Sequence, residues 1–385
     1  MERGLGLGHI FGIEVRLDVS VLVIFGLIVY SLGAAVFPGW HPDWSASLTW
    51  TTALATGVLF FASLLAHELS HSVVAQAHGI RVPRITLFLF GGMAEMEREP
   101  QSPKVEFLTA IAGPAMSLLL GVVFANLATW MAGPGFLERI GQGEEAALAG
   151  LSPLATAFVW LGAVNLVLAV FNLIPGFPLD GGRVFRAIMW WVTGDQVKAT
   201  KWASNLGRYF GWTLMALGAW TLVQGGLQGL WLILIGWFLT HLARASYTQL
   251  LTQRALGGLH VEDLMRTRFD QVDRGIAVAD FIDDYLLRSA QMLWPVVHND
   301  RPVGTIALSD VVNIEEPERR RRRVDEVMRP LAPTHVVDPD LTGRRVLELL
   351  AGAGEEPLPV IRDGRVVGLI HRSDILKWLA LHRMA

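Results

Sequence analysis

The chain has 385 residues, 52% of them hydrophobic and only 17% charged, with a net charge of −3. This composition excludes an ordinary soluble globule and offers no basic surface for nucleic acid. There is no cysteine, which excludes disulfides and thiolate metal sites, so any metal must be held by His, Asp or Glu.

A helix needs about 20 apolar residues to cross the hydrocarbon core. The first candidate, Val19–Phe37, reads as a retained span, because the N-terminus lacks a short apolar run ending in a small-residue cleavage site. Leu48–Val74 is the second. It is free of charge except at His67-Glu68-Leu69-Ser70-His71, an HExxH motif. Residues four apart share a helix face, so both imidazoles can converge on one metal ion with Glu68 beside them. Ionisable groups in lipid are costly and mark function. Next, Arg81–Gly92 (RVPRITLFLFGG) is β-branched and aromatic, too short to cross, and predicts strands or a re-entrant hairpin.

Further spans are predicted at Phe107–Met131, Leu154–Leu173, Leu206–Val223 and Leu227–Ala243, the fifth of the six shortened by Arg208 and Tyr209. Lys and Arg alternate between connections: Arg3, Arg16, Arg81, Arg84, Arg98, Lys104, Arg183, Arg186, Lys198 and Lys201 fall on one side. The positive-inside rule then makes both termini cytoplasmic, as in a multi-pass protein of the cell membrane. Spans two and four run in the same direction. At about 1.5 Å per residue, His67 lies about 28 Å beyond Leu48, and the fourth span is about 30 Å long. Asp180, just past that span, reaches similar depth. It sits in Asn172-Leu-Ile-Pro-Gly-Phe-Pro-Leu-Asp180-Gly-Gly-Arg183, where prolines and glycines break the helix and open backbone to water. Catalytic zinc commonly takes three protein ligands, and Asp180 is the strongest candidate for the third.

HELSH at 67–71, NLIPGFPLDGG at 172–182 and Gly113-Pro114 together resemble the site-2 protease family of intramembrane zinc metalloproteases, over residues 1–250. The resemblance implies one zinc ion per chain bound by His67, His71 and Asp180. It makes Glu68 the catalytic base and Asn172 a contact for substrate or transition state. It also implies strands near the site that pair with an extended substrate. Where the family often has an asparagine shortly after Gly-Pro, this chain has Ala115-Met116-Ser117.

Past Gly257-Gly258 the sequence turns to short apolar segments among many charges. Val261–Arg266 (VEDLMR) recurs as Val324–Arg329 (VDEVMR), and Pro295–Gly304 through Ser309-Asp310 recurs as Pro359–Gly368 through Ser373-Asp374. Each copy predicts a strand pair turning at Asn299-Asp300 or Asp363-Gly364. This tail resembles a tandem pair of CBS domains, 257–318 and 324–385, which implies an adenine nucleotide held by Asp310 or Asp374, or a homodimer. In nucleotide-binding pairs a Thr or Ser lies three residues before each Asp; here Ala307 and His371 stand there, so a structural or dimerising module remains an alternative.

The expected architecture is therefore a polytopic α-helical membrane protein, six transmembrane helices with a short membrane-associated β element, plus a cytoplasmic α/β tandem CBS module. The expected function is zinc endopeptidase action on membrane-anchored regulatory proteins near the cytoplasmic face of the lipid bilayer, regulated by the CBS tail. A transporter or channel with regulatory CBS domains is one alternative. It is disfavoured because neither motif has a second copy, as repeated halves would require. A silent metal-binding scaffold is another, disfavoured because it would have no use for Glu68.

Overall fold

The computed structural model describes residues 4–88, 91–141, 146–332, 336–352 and 356–382. The chain divides into two compact units, Met1–Tyr247 and Thr248–Ala385.

The first unit opens with β1 (Gly4–Ile10) and β2 (Ile13–Asp18), followed by α1 (Ser20–Ser31), a π-helical turn at Leu32–Val36 and α2 (Phe37–Trp40). Next come α3 (Ala46–Ala77), β3 (Arg84–Phe88), β4 (Gly91–Glu95), α4 (Pro103–Ala132), α5 (Phe136–Gly141) and α6 (Ala146–Ala149). Four long helices follow: α7 (Pro153–Asn172), α8 (Asp180–Thr193), α9 (Gln196–Val223) and α10 (Gly229–Gly257). The helices α3, α4 and α7 each start at a serine. Ser45, Ser102 and Ser152 each accept a hydrogen bond from a backbone N–H three residues on, at 3.3 Å, and Pro103 and Pro153 occupy the first turn, where no backbone donor is lost.

Among the described residues, five helical segments are long and apolar enough to cross a membrane: Ser20–Trp40, Ala46–Ala77, Pro103–Ala132, Pro153–Asn172 and Gly229–Gly257. The expected fifth of six spans, Leu206–Val223, lies in α9. That helix has the length, at 28 residues, but Lys198, Lys201, Arg208 and Tyr209 dilute its apolar character below that of the other five.

α4 is the hub. It packs on α3, α7 and α8, and small residues allow the approach: a Cβ on Gly162 of α7 would lie 3.1 Å from the backbone N of Ala125, the close packing by which membrane helices associate.

Strand order is β1-β2-β3-β4. β1–β2 and β3–β4 are antiparallel, whereas β2–β3 are parallel, pairing Glu14 with Arg84 through Leu17 with Leu87. The predicted strands at 81–92 correspond to β3 and the start of β4, and residues 89–90 lie outside the described ones. The N-terminal pair was not anticipated, although Ile13, Val15 and Leu17 alternate with Glu14, Arg16 and Asp18. Ile13, Val15, Ile85 and Leu87 bury one face against Ala75 near the end of α3 and against Ile80 and Val82 just past it. On this sheet Arg16 and Arg84 bond Glu14 at 2.7 and 2.9 Å and hold its carboxyl below the usual carboxylate range.

In the second unit the elements are α11 (Val261–Leu264), β5 (Val272–Asp273), α12 (Val278–Phe281), β6 (Leu293–His298), β7 (Arg301–Ala307) and α13 (Leu308–Val311). They continue with α14 (Glu316–Arg319), α15 (Val324–Val327), β8 (Arg329–Pro330), α16 (Gly343–Gly352), β9 (Leu358–Arg362), β10 (Arg365–Ile370) and α17 (Arg372–His382). Both hairpins turn where expected. Asn299 and Asp300 have φ of 50° and 62°, Asp363 and Gly364 of 53° and 73°, as a two-residue loop between antiparallel strands requires.

The two sequence copies exchange their opening helices. Val261 and Leu264 of the first copy are buried with Val360, Ile370 and Ile375 of the second, and Val324 of the second is buried with Val272, Trp294 and Ile306 of the first. Neither copy has a self-contained core.

Candidate active site

Two α3 residues four apart, His67 and His71, turn one face toward α4 and are almost fully buried, at 3% and 4% exposure. Asp180 begins α8 after the irregular Leu173–Leu179 segment. Its Oδ2 lies 3.2 Å from Nε2 of His67 and 3.2 Å from Nε2 of His71, and the two Nε2 atoms are themselves 3.2 Å apart. The rings meet edge to face, at 77°.

The outer ring nitrogens fix this orientation. His71 Nδ1 lies 2.6 Å from the Thr109 carbonyl; a carbonyl only accepts, so Nδ1 carries the proton and donates. The Nε2 lone pair of His71 is thereby aimed at Asp180 and His67. His67 Nδ1 meets the Ser117 hydroxyl at 2.8 Å. Lone pairs and a carboxylate oxygen in mutual contact repel unless a proton or cation lies among them. Two ligands each about 2.05 Å from a tetrahedral zinc ion stand roughly 3.3 Å apart, so the donor set fits such an ion. Partners on the far nitrogens are the usual support of metal-binding histidines.

Three contributors were not singled out as site residues by the sequence: Thr109, Gly113 and Ser117. They recur at intervals of four along the face of α4 that meets α3. A Cβ on Gly113 would lie 2.6 Å from His67 Nε2, and closer still to His71 Nε2. Gly113 therefore leaves the room in which the two imidazoles converge, and Ser117 supplies a group after Gly-Pro where the asparagine is missing. Their spacing matched that of the HExxH histidines, but only the packing of α3 on α4 gives it meaning.

Glu68 sits beside the cluster. Its carboxylate receives a hydrogen bond from the Gly92 backbone at the start of β4, and a Cβ at Gly92 would fall 2.6 Å from Glu68 Cδ. Glycine there lets the edge strand of the sheet approach the carboxylate. Asn172 ends α7, half-buried. Among the described residues no hydrogen bond ties its side chain to the His–Asp cluster.

In the second unit Asp310 and Asp374 lie in the first turns of α13 and α17 and cap them, accepting from Ala307 N and His371 N just before each helix at 2.8 and 3.2 Å. Each also pairs with the arginine that closes the other copy's opening motif. Arg266 binds Asp374 with contacts of 2.6–3.1 Å, and Arg329 reaches Asp310 at 3.1 Å and Glu356 at 2.7 Å. The exchange of opening helices brings these pairs together. Next to the first pair is a cleft of about 300 Å³ lined by Arg266, Arg268, Ser289, Gln291, His371 and Ser373 among others.

The profile of peptidase family M50 matches residues 55–216, and the CBS-domain profile matches 324–381. Rip3 of Mycobacterium tuberculosis is 36% identical over 391 residues, covering 100% of this chain and 95% of that protein. Zinc metalloprotease MJ0392 of Methanocaldococcus jannaschii is 27% identical over 381 residues, covering 99% and 97%. Among solved structures, the site-2 protease of Methanocaldococcus jannaschii is 27% identical, with a TM-score of 0.42 over 63% of this chain and 95% of that one. With two sequence motifs meeting in one cluster and a relative matched along the whole of this chain, the chain belongs to peptidase family M50, the site-2 protease family of intramembrane zinc metalloproteases, and carries a C-terminal CBS module.

Proposed function

We propose that this zinc metalloprotease hydrolyses peptide bonds of membrane-anchored regulatory proteins near the cytoplasmic face. The reading is carried by the convergence of His67, His71 and Asp180 beside Glu68, at the end of an apolar helix. His67, His71 and Asp180 would hold zinc, which when bound supplies Lewis acidity toward water and the scissile carbonyl. Glu68 accepts the water's proton on its carboxylate and returns it to the leaving amine nitrogen. β4 is the sheet edge nearest Glu68, so an extended substrate segment adds to it as a further strand and satisfies its own N–H and C=O groups there. Asn172, eight residues before Asp180, is assigned to substrate or transition state. The test is cleavage of a single-span reporter substrate by purified zinc-loaded protein in detergent. Chelation is expected to stop it and added zinc to restore it; a protein that holds zinc stoichiometrically yet cleaves no single-span substrate overturns the reading.

A cytoplasmic N-terminus and a cytoplasmic CBS tail require an even number of crossings, so α9 crosses as the fifth of six. The cysteine-free chain makes this measurable with single introduced cysteines and a membrane-impermeant maleimide on intact cells. Gln224→Cys is expected to label from outside and Arg320→Cys only after lysis. Gln224→Cys protected until lysis rules α9 out as a crossing.

The CBS module is assigned a gating role through an adenine nucleotide in the Arg266–Ser373 cleft. Asp374 is already engaged by Arg266, so a ribose hydroxyl must displace that arginine. AMP or ATP is expected to raise the unfolding temperature of the full chain saturably, because a ligand selective for the folded state stabilises it by mass action. No shift with either leaves a structural module or one that joins two copies in a homodimer.

A further inference from the structure

α4 begins in apolar surroundings with a glutamate, and α8 carries an arginine two turns into its length. Glu106 is 0% exposed and Arg186 only 8%. Arg186 Nε donates to Glu106 Oε1 at 2.5 Å, and its Nη2 bonds the same oxygen. The guanidinium also lies over the Phe177 ring, 5.2 Å from its centroid. Among the described residues Glu106 Oε2 has no hydrogen-bond partner. Burying such a pair is costly and is often no better for stability than an apolar pair of the same volume.

Its place in the fold gives it a use. Glu106, Thr109, Gly113 and Ser117 fall on one stripe of α4, at helical intervals of three and four. Three of them set His67 and His71, as described above. Glu106, at the end of the same stripe, grips the helix that Asp180 opens, and the grip extends through Phe177 to the segment leading into Asp180. α3 and α8 both pack on α4, so α4 is the common reference that registers the histidines against the aspartate.

We infer that Glu106 and Arg186 are a positioning pair for the metal centre: they fix α8 on α4 so that the Asp180 carboxylate meets the two Nε2 atoms. This rests on His67, His71 and Asp180 being the zinc ligands. Neither residue touches the cluster, so both act through Asp180.

The test uses the purified full-length protein, freed of metal and titrated with zinc against a competing chelator. Glu106→Gln and Arg186→Met are each expected to weaken zinc about 10- to 100-fold, the usual loss when support of a metal ligand is removed. The double variant Glu106→Leu/Arg186→Met is expected to lose no more than the worse single, since the residues act as one unit. Its metal-free unfolding temperature should stay near wild type, and it carries the test if a single variant, left with one unpaired buried charge, does not fold. Arg186→Lys, which keeps the charge but not the planar fork, should fall between wild type and Arg186→Met. The visible absorption of the Co²⁺-loaded protein should change in the same variants. Zinc affinity within about twofold of wild type, the scatter of independent sites, with an unchanged Co²⁺ spectrum in a folded variant, overturns the inference. Asp180→Ala separates the two levels: if it binds zinc as wild type does, the ligand assignment itself has failed.

Discussion

Glu68→Gln is expected to bind zinc as wild type does and to cleave a single-span substrate about 10²- to 10⁴-fold more slowly, the range that a positioned general base contributes. The substitution is nearly isosteric. The glutamine carbonyl still accepts from the Gly92 backbone, so the approach of β4 to α3 survives, and the ligand cluster is formed by other side chains. What disappears is the ability to take a proton from water and hand it to the departing amine. Zinc content and cleavage, measured on one preparation, separate the outcomes. Full cleavage by the variant would remove Glu68 from the proton transfers. Lost zinc would mean that its carboxylate belongs to the metal site, with Asp180 in a different role.

Much of this centre was legible in the chain because its signals are local. An i, i+4 histidine pair in an apolar helix carries its own geometry, and Asp180 announces itself through the helix-breaking residues around it. The tail was legible through repetition and through turn pairs such as Asp363-Gly364, whose positive φ the sequence all but demands. The rest depends on contacts between distant segments. Thr109 acts through its backbone carbonyl, which no side-chain pattern reports. Ser117 and Gly113 become meaningful only once α4 lies against α3. The exchange of opening helices between the repeats is hidden for a related reason: VEDLMR and VDEVMR are similar enough that each can fill the other's place, so sequence similarity marks the copies but not which core each helix enters. α9 differs again. It is a long helix whose charges sit in its first half, and segment apolarity alone does not decide whether it crosses.

Gly113→Ala is expected to separate folding from metal binding. By helix propensity alone, alanine is better than glycine by about 1 kcal/mol in a helix interior, so the metal-free protein should unfold no earlier than wild type if the site were irrelevant to packing. The new methyl, however, enters the space where the two Nε2 atoms converge, 2.6 Å from that of His67. Both rings must then rotate or α3 must withdraw, and either motion breaks the mutual 3.2 Å spacing that suits one ion. Ser117→Ala provides the scale. It removes one hydroxyl from His67 Nδ1 without adding an atom, and a loss of about 10- to 100-fold in zinc affinity is expected, as for other groups that orient a ligand. Gly113→Ala should exceed that loss and abolish cleavage, while circular dichroism and the elution volume of the metal-free protein stay as in wild type. Competitive zinc titration of the two variants side by side is the measurement. If Gly113→Ala binds zinc more tightly than Ser117→Ala, α4 does not form the wall behind the histidines, and their convergence must have another cause.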